Sequence, residues 1–304
     1  MKNLTKFKLN QRRWSVQLAL TTGLMLLFLA ALLGGLQGVT PVRADPGTLY
    51  VDGATGSDDT DCSDPATPCA TIGYALTQAE NSDEIRVAEG TYTETLDIGI
   101  SVTLKGGYMM SGTLWLPHSG KTIIDANGAD SSVLSITPEH HVTIESFTVQ
   151  GANNVSEFGG GLFVNGATVV ISDTVIRNNS TEGDGGGIWV EQQPGPARVS
   201  LVRSKLWNNQ AGVHGGGLAG SGLITLEDVE VVENRALAGW GGGLKASQVT
   251  ITNSQIVSNT AVGSGGGMWA NVAYIYNSEI NGNEVTGEGT VFGGGQYRPD
   301  TEIV

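Results

Sequence analysis

The sequence predicts an all-β fold, a parallel β-helix in which short strands coil into stacked rungs. Composition is the first observation: 45 of the 304 residues are Gly, and only 15% are charged. Glycine is about twice its usual share, and long runs of helix-favouring residues are missing beyond residue 80, which excludes a helical bundle. The other two observations are a glycine triplet and an asparagine, each of which recurs along the chain at the same period.

The first 44 residues have the layout of an export signal. Five basic residues precede a charge-free stretch from Trp14 to Val42, and Val42-Arg43-Ala44 places small residues at the −3 and −1 positions of a peptidase site. We expect cleavage after Ala44. An uncleaved membrane anchor is the alternative, because the charge-free run is long enough to span a bilayer. Either way, the sequence predicts a secreted or cell-surface protein.

The exported part of the chain is strongly acidic. All thirty Asp and Glu lie after residue 44, whereas six of the sixteen Lys and Arg lie before it, so the remainder carries 10 − 30 = −20. Such a surface repels nucleic acid and anionic membrane, and it can attract cations or basic partners. We therefore expect no nucleic-acid partner, and membrane contact only through an uncleaved N-terminal segment.

Residues 45–97 are predicted to form an N-terminal cap and the first rung. Ala70 to Ala79 has the pattern of a short amphipathic helix, which would cover the open end of the stack. Cys62 and Cys69 flank a short loop that an oxidising environment would close as a disulfide. A zinc site is the alternative, but two Cys with no nearby His fall short of a ligand set.

The same loop is rich in acidic side chains. Calcium, which prefers oxygen ligands, could bind there. The spacing is not that of an EF-hand, and we expect no other cofactor. The acidic residues in question are Asp58, Asp59, Asp61 and Asp64.

Residues 98–304 are predicted to be the parallel β-helix repeats. The glycine triplets recur at intervals of 26, 30, 26, 24 and 28 residues, and they begin at Gly159, Gly185, Gly215, Gly241, Gly265 and Gly293. The asparagines recur at intervals of 30, 25, 25 and 24 residues, at Asn179, Asn209, Asn234, Asn259 and Asn283. The chain stops shortly after the last triplet with no cap signal, so we expect either a truncated chain or further repeats.

Each repeat contains about three short strands. Apolar residues precede each asparagine by three, eight and ten positions, as Ile176, Ile171 and Val169 precede Asn179. Apolar residues two apart indicate a strand, and the break between them indicates a turn. Stacking in register would place like residues over like at about 4.8 Å per rung, with the asparagine amides bonded in a buried column. A β-sandwich would not repeat one template at constant spacing.

Several segments carry a family resemblance. YVDGATGSDD, DPATPCATIGYALTQA, IRVAEGTYTE, VTLKGGY, TIIDANG and HVTIESFTVQG resemble the opening of secreted right-handed parallel β-helix proteins of the pectate-lyase-like superfamily. The later GGG[LIM] and [ILV]xxN signals are similar to repeats of chlamydial polymorphic outer membrane proteins, although Ile, Leu or Val replaces their Phe. The resemblance covers about residues 48 to 296. It implies the right-handed fold, but not one function, because the superfamily includes lyases, hydrolases, epimerases, adhesins and inert surface modules.

The resemblance to pectin-cleaving proteins directs attention to acids next to a basic residue. The stacked register would place Asp173, Arg203 and Asp228 in one column, and these are the candidate catalytic residues for cleaving an acidic polysaccharide. The alternative is a surface charge ladder of little energetic weight. The spacing favours the ladder, because the two Asp span two rungs and the hydrolase signatures are missing.

Aromatic residues follow several of the glycine triplets. Alternation predicts that they point outward, opposite the inward Leu162, Ile188 and Met268, and flat rings along a stack suit the faces of sugars. The alternatives are that loops fold over these rings or that the rings only brace the sheet. The predicted ligand-binding residues are Phe163, Trp189, Trp269 and Tyr297.

These features together predict an exported β-helix module that binds a polysaccharide or another cell-surface component. It would serve adhesion or envelope architecture without catalysis. Two alternatives stay open: a polysaccharide lyase or glycoside hydrolase that acts on acidic polysaccharide, and a structural spacer that binds no ligand.

Overall fold

A computed structural model describes residues 46–118, 120–154 and 158–287, together with the backbone of residues 296–297 and 302–303. The predicted export signal, the last glycine triplet and the side chain of Tyr297 lie outside the described residues. Within the described ranges, no helix has the length and apolar character needed to cross a membrane.

The strands stack as a parallel β-helix. The strands of successive repeats pair in parallel with their equivalents, so that Leu162, Ile188, Leu218, Leu244 and Met268 form one continuous column. Across the described residues, the strands make a 16-stranded, an 8-stranded and a 6-stranded sheet. The fold class predicted from the glycine and asparagine spacing is confirmed.

The large sheet has two halves that lie side by side in each rung. The half that follows the glycine triplets, called sheet 1, contains β4 (Leu96–Ile98), β8 (Leu134–Ile136), β12 (Leu162–Asn165), β16 (Ile188–Glu191) and the first parts of β20 (Leu218–Glu227), β23 (Leu244–Thr252) and β26 (Met268–Tyr276), with β29 (Gln296–Tyr297). Since β20, β23 and β26 continue without a break into the other half, the two halves count as one sheet.

The other half, called sheet 2, includes the second parts of those three long strands. Its remaining parallel strands are β1 (Thr48–Val51), β2 (Asp83–Ala88), β5 (Val102–Ser111), β9 (His141–Glu145), β13 (Thr168–Ser172), β17 (Arg198–Val202) and β30 (Glu302–Ile303). An antiparallel strand that the sequence pattern does not predict, β6 (Leu114–Pro117), folds back on β5 as a hairpin.

Two smaller sheets close the coil. Sheet 3 contains β3 (Gly90–Tyr92), β7 (Thr122–Asp125), β10 (Phe147–Gln150), β14 (Val175–Arg177), β18 (Lys205–Trp207), β21 (Glu230–Val232), β24 (Gln255–Val257) and β27 (Glu279–Asn281). Sheet 4 contains the two-residue strands β11 (Asn153–Asn154), β15 (Ser180–Thr181), β19 (Gln210–Ala211), β22 (Arg235–Ala236), β25 (Thr260–Ala261) and β28 (Glu284–Val285). A full repeat therefore has the three predicted strands plus this short fourth segment.

The N-terminal end of the core is covered by helix α1 (Ile72–Gln78), which lies within the predicted Ala70 to Ala79. Ile72 and Ala75 are fully buried against the apolar core. Thr71 caps the helix by accepting a hydrogen bond from the backbone of Tyr74. The carboxylate of Glu94 accepts two more, from the backbone N–H groups of Ile72 and Gly73, at 2.9 and 2.8 Å.

The core runs through the coil as columns of aliphatic side chains. Three residues before Asn179 are predicted to face inward. These residues, Ile176, Ile171 and Val169, are each 0% exposed. The equivalent residues of the next rung, Leu206 and Leu201, have the same burial. Like side chains thus stack on like, and burial of each apolar column stabilises the coil.

Residues with positive φ mark the two corners that flank sheet 3. The first corner is occupied by Ser146, Asp173, Arg203, Asp228, Asn253 and Asn277, with φ between 45° and 64°. Asp and Asn tolerate this left-handed conformation better than other non-glycine residues, which explains why the column is rich in them. The second corner uses residues such as Asn178 and Asn208, each directly before a ladder asparagine.

The ladder asparagines lie in the interior of the second corner. Asn179, Asn209, Asn234 and Asn259 are at most 1% exposed. Each amide donates to the side-chain oxygen of the next asparagine at 3.0–3.1 Å and to a backbone carbonyl of the preceding rung. The predicted buried column of amides is confirmed, and its role is structural.

The glycine triplets bring adjacent rungs into close backbone contact. Gly185 has φ +73°, a conformation that favours glycine. A Cβ on Gly186 or Gly187 would collide with backbone atoms of the following rung. The triplet therefore fixes how the chain enters sheet 1 at every turn of the coil.

Candidate functional site

The predicted catalytic column is part of the first corner. Arg203 forms a two-pronged ion pair with Asp173, with Nε–Oδ1 and Nη2–Oδ2 distances of 2.8 and 2.7 Å. The hydrogen bond to Asp173 raises the pKa of Arg203, and the charges of Asp228 and Glu145 add to the effect. The side chains of Arg203 and Asp173 are 58% and 39% exposed. This geometry matches a solvated charge ladder, because the pair is open to water and Asp173 is already occupied.

The cysteine loop is organised by its own side chains. Cys62 and Cys69 form a disulfide bond. Asp58 accepts hydrogen bonds from the backbone of Ala70 and Thr71, while Asp61 accepts from Ser63. In the part of the chain that the structure describes, no three His, Cys, Asp or Glu side chains are grouped to hold a metal ion. Calcium binding by Asp58, Asp59, Asp61 and Asp64 stays a prediction.

The predicted aromatic residues occupy one column of sheet 1. Phe163 pairs with Trp189, Trp189 with Ala219, Ala219 with Lys245, and Lys245 with Trp269. The backbone of Tyr297 pairs with Trp269, which continues the column. However, Phe163, Trp189 and Trp269 are half-buried, and Ala219 is fully buried. The rings do not form the fully exposed row that alternation alone suggests.

Two aromatic residues that the sequence pattern did not single out cover these rings. Phe158 stacks on Trp189 with a centroid distance of 4.9 Å, and Trp240 stacks on Trp269 at 5.2 Å. Phe158 and Trp240 are 37% and 41% exposed, so they present the outermost aromatic surface. Each lies directly before a glycine triplet, a position that could have identified both. We call Phe158, Phe163, Trp189, Trp240 and Trp269 the aromatic face.

Trp240 is held in place by His214. The backbone N–H of Trp240 donates to His214 Nδ1 at 2.9 Å, and the two rings lie 5.0 Å apart. Burial lowers the pKa of His214; the negative charge of Asp184 opposes this, and the positive charge of Lys245 adds to it. A neutral imidazole can accept the hydrogen bond through Nδ1, so this environment favours the form that positions Trp240.

A groove lies at the N-terminal end of the aromatic face. It has a volume of about 350 Å³, and its lining includes Asp97, Ser135, Phe158 and Phe163. Ser135 lies between Asp97 and Phe163 in the column of sheet 1, and its small side chain leaves room between the acid and the ring. We call this the N-terminal groove.

The outer wall of the N-terminal groove is fixed by hydrogen bonds to the chain around Phe158. Asn154, which is 6% exposed, donates through Nδ2 to the carbonyl of Phe158 at 3.3 Å. The hydroxyl of Ser132 donates to the carbonyl of Gly159 at 2.5 Å. These bonds hold the backbone at Phe158 and Gly159, next to the Phe158 ring.

Two buried polar atoms at the N-terminal end of the aromatic face have no hydrogen-bond partner. Among the described residues, Trp189 Nε1 and Asn165 Oδ1 are the buried side-chain atoms for which no hydrogen bond is found. Trp189 pairs with Phe163, and Asn165 lies two residues beyond Phe163 on the same side of β12. One atom is a donor and the other an acceptor, and such groups are usually satisfied in folded proteins.

The fold and this surface define a parallel β-helix protein whose sheet 1 carries stacked aromatic rings and a polar groove. Such a surface can bind flat, partly apolar ligands with hydroxyl groups: ring faces contact C–H groups, and Ser or Asn side chains contact hydroxyls.

Comparison with known proteins adds the following. No family model and no curated relative matches this chain. Similar solved structures include pectate lyase Pel9A, with 14% identity over 85% of this chain and 79% of that chain and a TM-score of 0.47. A rhamnogalacturonan lyase has 14% identity over 77% and 75% of the two chains and a TM-score of 0.39. The pectin methylesterase from Aspergillus niger has 16% identity over 81% and 89%, with a TM-score of 0.35. No activity of this chain follows from these similarities.

Proposed function

We propose that this protein is an exported β-helix module that binds carbohydrate through the aromatic face. It acts outside the cell or at its surface, in adhesion or envelope architecture, and without catalysis. The observation that carries the proposal is the pair of stacks in which Phe158 and Trp240 present exposed rings supported by Trp189 and Trp269. A ring locked by stacking and hydrogen bonds loses little entropy when a sugar stacks on it.

The surface around the aromatic face supports the same ligand chemistry. Phe158 and Trp240 expose ring faces, and the hydroxyl-bearing Ser135 lies beside Phe163 in the same column of sheet 1. Carbohydrates combine many hydroxyl groups with apolar ring faces. Cleavage of acidic polysaccharide is less well supported, because the candidate Arg203 already forms an exposed ion pair with Asp173.

Retention of the purified protein on a panel of insoluble polysaccharides tests the proposal. We expect Trp240→Ala to weaken retention at least about tenfold on any polysaccharide that binds, because aromatic residues dominate such contacts. Trp207→Ala is the matched control. This tryptophan lies on sheet 3, where its Nε1 donates to Glu233 at 2.8 Å, so its loss should leave retention unchanged.

Two results would contradict the proposal. If no polysaccharide retains the folded protein, the structural spacer becomes the better account. If new reducing ends or unsaturated uronates are released, with calcium present or after chelation, the protein is an enzyme, and Asp173→Asn and Arg203→Ala would then locate its site.

A further inference from the structure

The charges around the N-terminal groove restrict which carbohydrate fits it. The described residues that line the groove include two carboxylates, Asp97 and Asp130, but no Lys, Arg or His. Asp97 is exposed, and it lies two rungs from Phe163 in the same column, about 10 Å at the usual strand spacing. A ligand that stacks on Phe163 and extends along the column toward the N-terminal end of sheet 1 therefore meets a negative charge.

This charge distribution disfavours an acidic glycan. The carboxylates of a polyuronate would approach the exposed Asp97, and the described residues that line the groove include no basic side chain, which opposes binding. The chain beyond residue 44 adds to the repulsion, since it carries 10 − 30 = −20.

The same arrangement favours a positively charged sugar. An ammonium group is attracted both to a carboxylate and to the face of an aromatic ring, and the groove offers Asp97 together with Phe158 and Phe163. The hydroxyl of Ser135, between the acid and the Phe163 ring, is placed to contact a sugar hydroxyl. We propose that the N-terminal groove binds a glycan with free amino groups, a polymer of amino sugars. This inference rests on the proposed carbohydrate binding and names its ligand class.

A matched pair of ligands isolates the contribution of the amino group. The probes are an oligomer of glucosamine with free amines and the same oligomer with every amine acetylated, each titrated against the purified protein by calorimetry. We expect the amine form to bind at least about tenfold more tightly, and added salt to weaken only that form, because the difference is electrostatic.

Three variants locate the effect. Asp97→Asn keeps the side-chain shape and should reduce affinity for the amine form about three- to tenfold while leaving the acetylated form unchanged. Phe158→Ala should weaken both forms, since it removes the shared stacking surface. Glu227→Gln is the charge-matched control: Glu227 is exposed on sheet 2, away from the groove, so its removal should not change either affinity.

The outcomes separate this inference from the broader proposal. Equal affinity for the two oligomers, or tighter binding of polygalacturonate than of the amine form, would overturn the amino-sugar inference while leaving carbohydrate binding intact. An equal loss of affinity in Asp97→Asn and Glu227→Gln would show that the preference for the amine form comes from the net charge of the protein. It would overturn the assignment of the binding site to the N-terminal groove. If neither oligomer nor any other glycan binds, both proposals fail.

Discussion

The asparagine ladder and the aromatic face are both built on positions that recur along the coil, although Ala219 and Lys245 interrupt the aromatic column, and they differ in burial and in hydrogen bonding. The amides of Asn209 and Asn234 are buried and fully paired with neighbouring rungs. On the aromatic face, by contrast, Trp240 is 41% exposed and Trp189 Nε1 is unpaired. A repeated residue is therefore no sign of function by itself. What separates the two columns is whether the fold already satisfies their side chains.

The charged corner that contains Asp173 and Arg203 shares one property with each of these two columns. It is repeated and exposed, like the aromatic face, but its side chains already satisfy each other. The left-handed backbone of the corner accounts for the column of Asp and Asn without any ligand. An exposed side chain is therefore informative about function only when the fold fixes its position and no neighbouring side chain already satisfies it.

The largest expected effect comes from breaking the asparagine ladder. Asn234→Ala should lower the free energy of unfolding by about 2–4 kcal/mol, because it leaves the buried N–H groups of Asn209 without their acceptor. Chemical denaturation followed by circular dichroism measures this. The control is Asn208→Gly, which keeps the left-handed corner and removes an exposed side chain. Similar losses in both variants would show that burial does not distinguish the ladder.

A smaller effect concerns the half-buried carboxylate that caps α1. Burial raises the pKa of Glu94, and its hydrogen bonds to the backbone of Gly73 and Ile72 only partly offset this. At a pH between the unfolded and the folded pKa of Glu94, the folded protein therefore holds a proton that the unfolded chain has released. The stability linked to this proton is fully present below the unfolded pKa and is lost as the pH rises through the folded pKa.

Glu94→Gln removes that titration. We expect the unfolding free energy of the wild type to fall relative to that of Glu94→Gln as the pH rises from about 4, the ordinary pKa of Glu, through the raised pKa of the folded protein. Denaturation curves of both proteins across this range measure the difference. Glu227→Gln removes the same charge from an exposed strand position. If the wild type showed the same trend relative to this control, the effect would belong to net charge rather than to the cap.

The smallest expected effect is at the charged corner. Arg203→Ala should leave the denaturation midpoint unchanged within error, since the ion pair with Asp173 is solvent-exposed. Glycan retention should also be unchanged, because Arg203 is not part of the aromatic face. If Arg203→Ala lowered glycan retention without lowering stability, the result would indicate that this corner takes part in glycan binding.

Much of the architecture was predictable because it repeats. A period of 24 to 30 residues is enough to place Ile171 over Leu201 and Asn179 over Asn209, and both pairings are observed. The hairpin of β5 and β6 breaks the period, so no comparison between repeats could indicate it. The same limit applies to Glu94, which caps α1 from a position 21 residues beyond Gly73.

By itself, then, the sequence determined the coil, its register, the inward columns and the residues suited to each corner, because these depend on local alternation and on a template that recurs once per rung. Only the tertiary structure decided which aromatic rings reach the surface. Phe158 and Trp240 come from loops, and each packs diagonally on a ring of the next rung. The N-terminal groove likewise needs the small Ser135 between Asp97 and Phe163. These three residues belong to separate rungs, so their side chains become neighbours only when the chain is coiled.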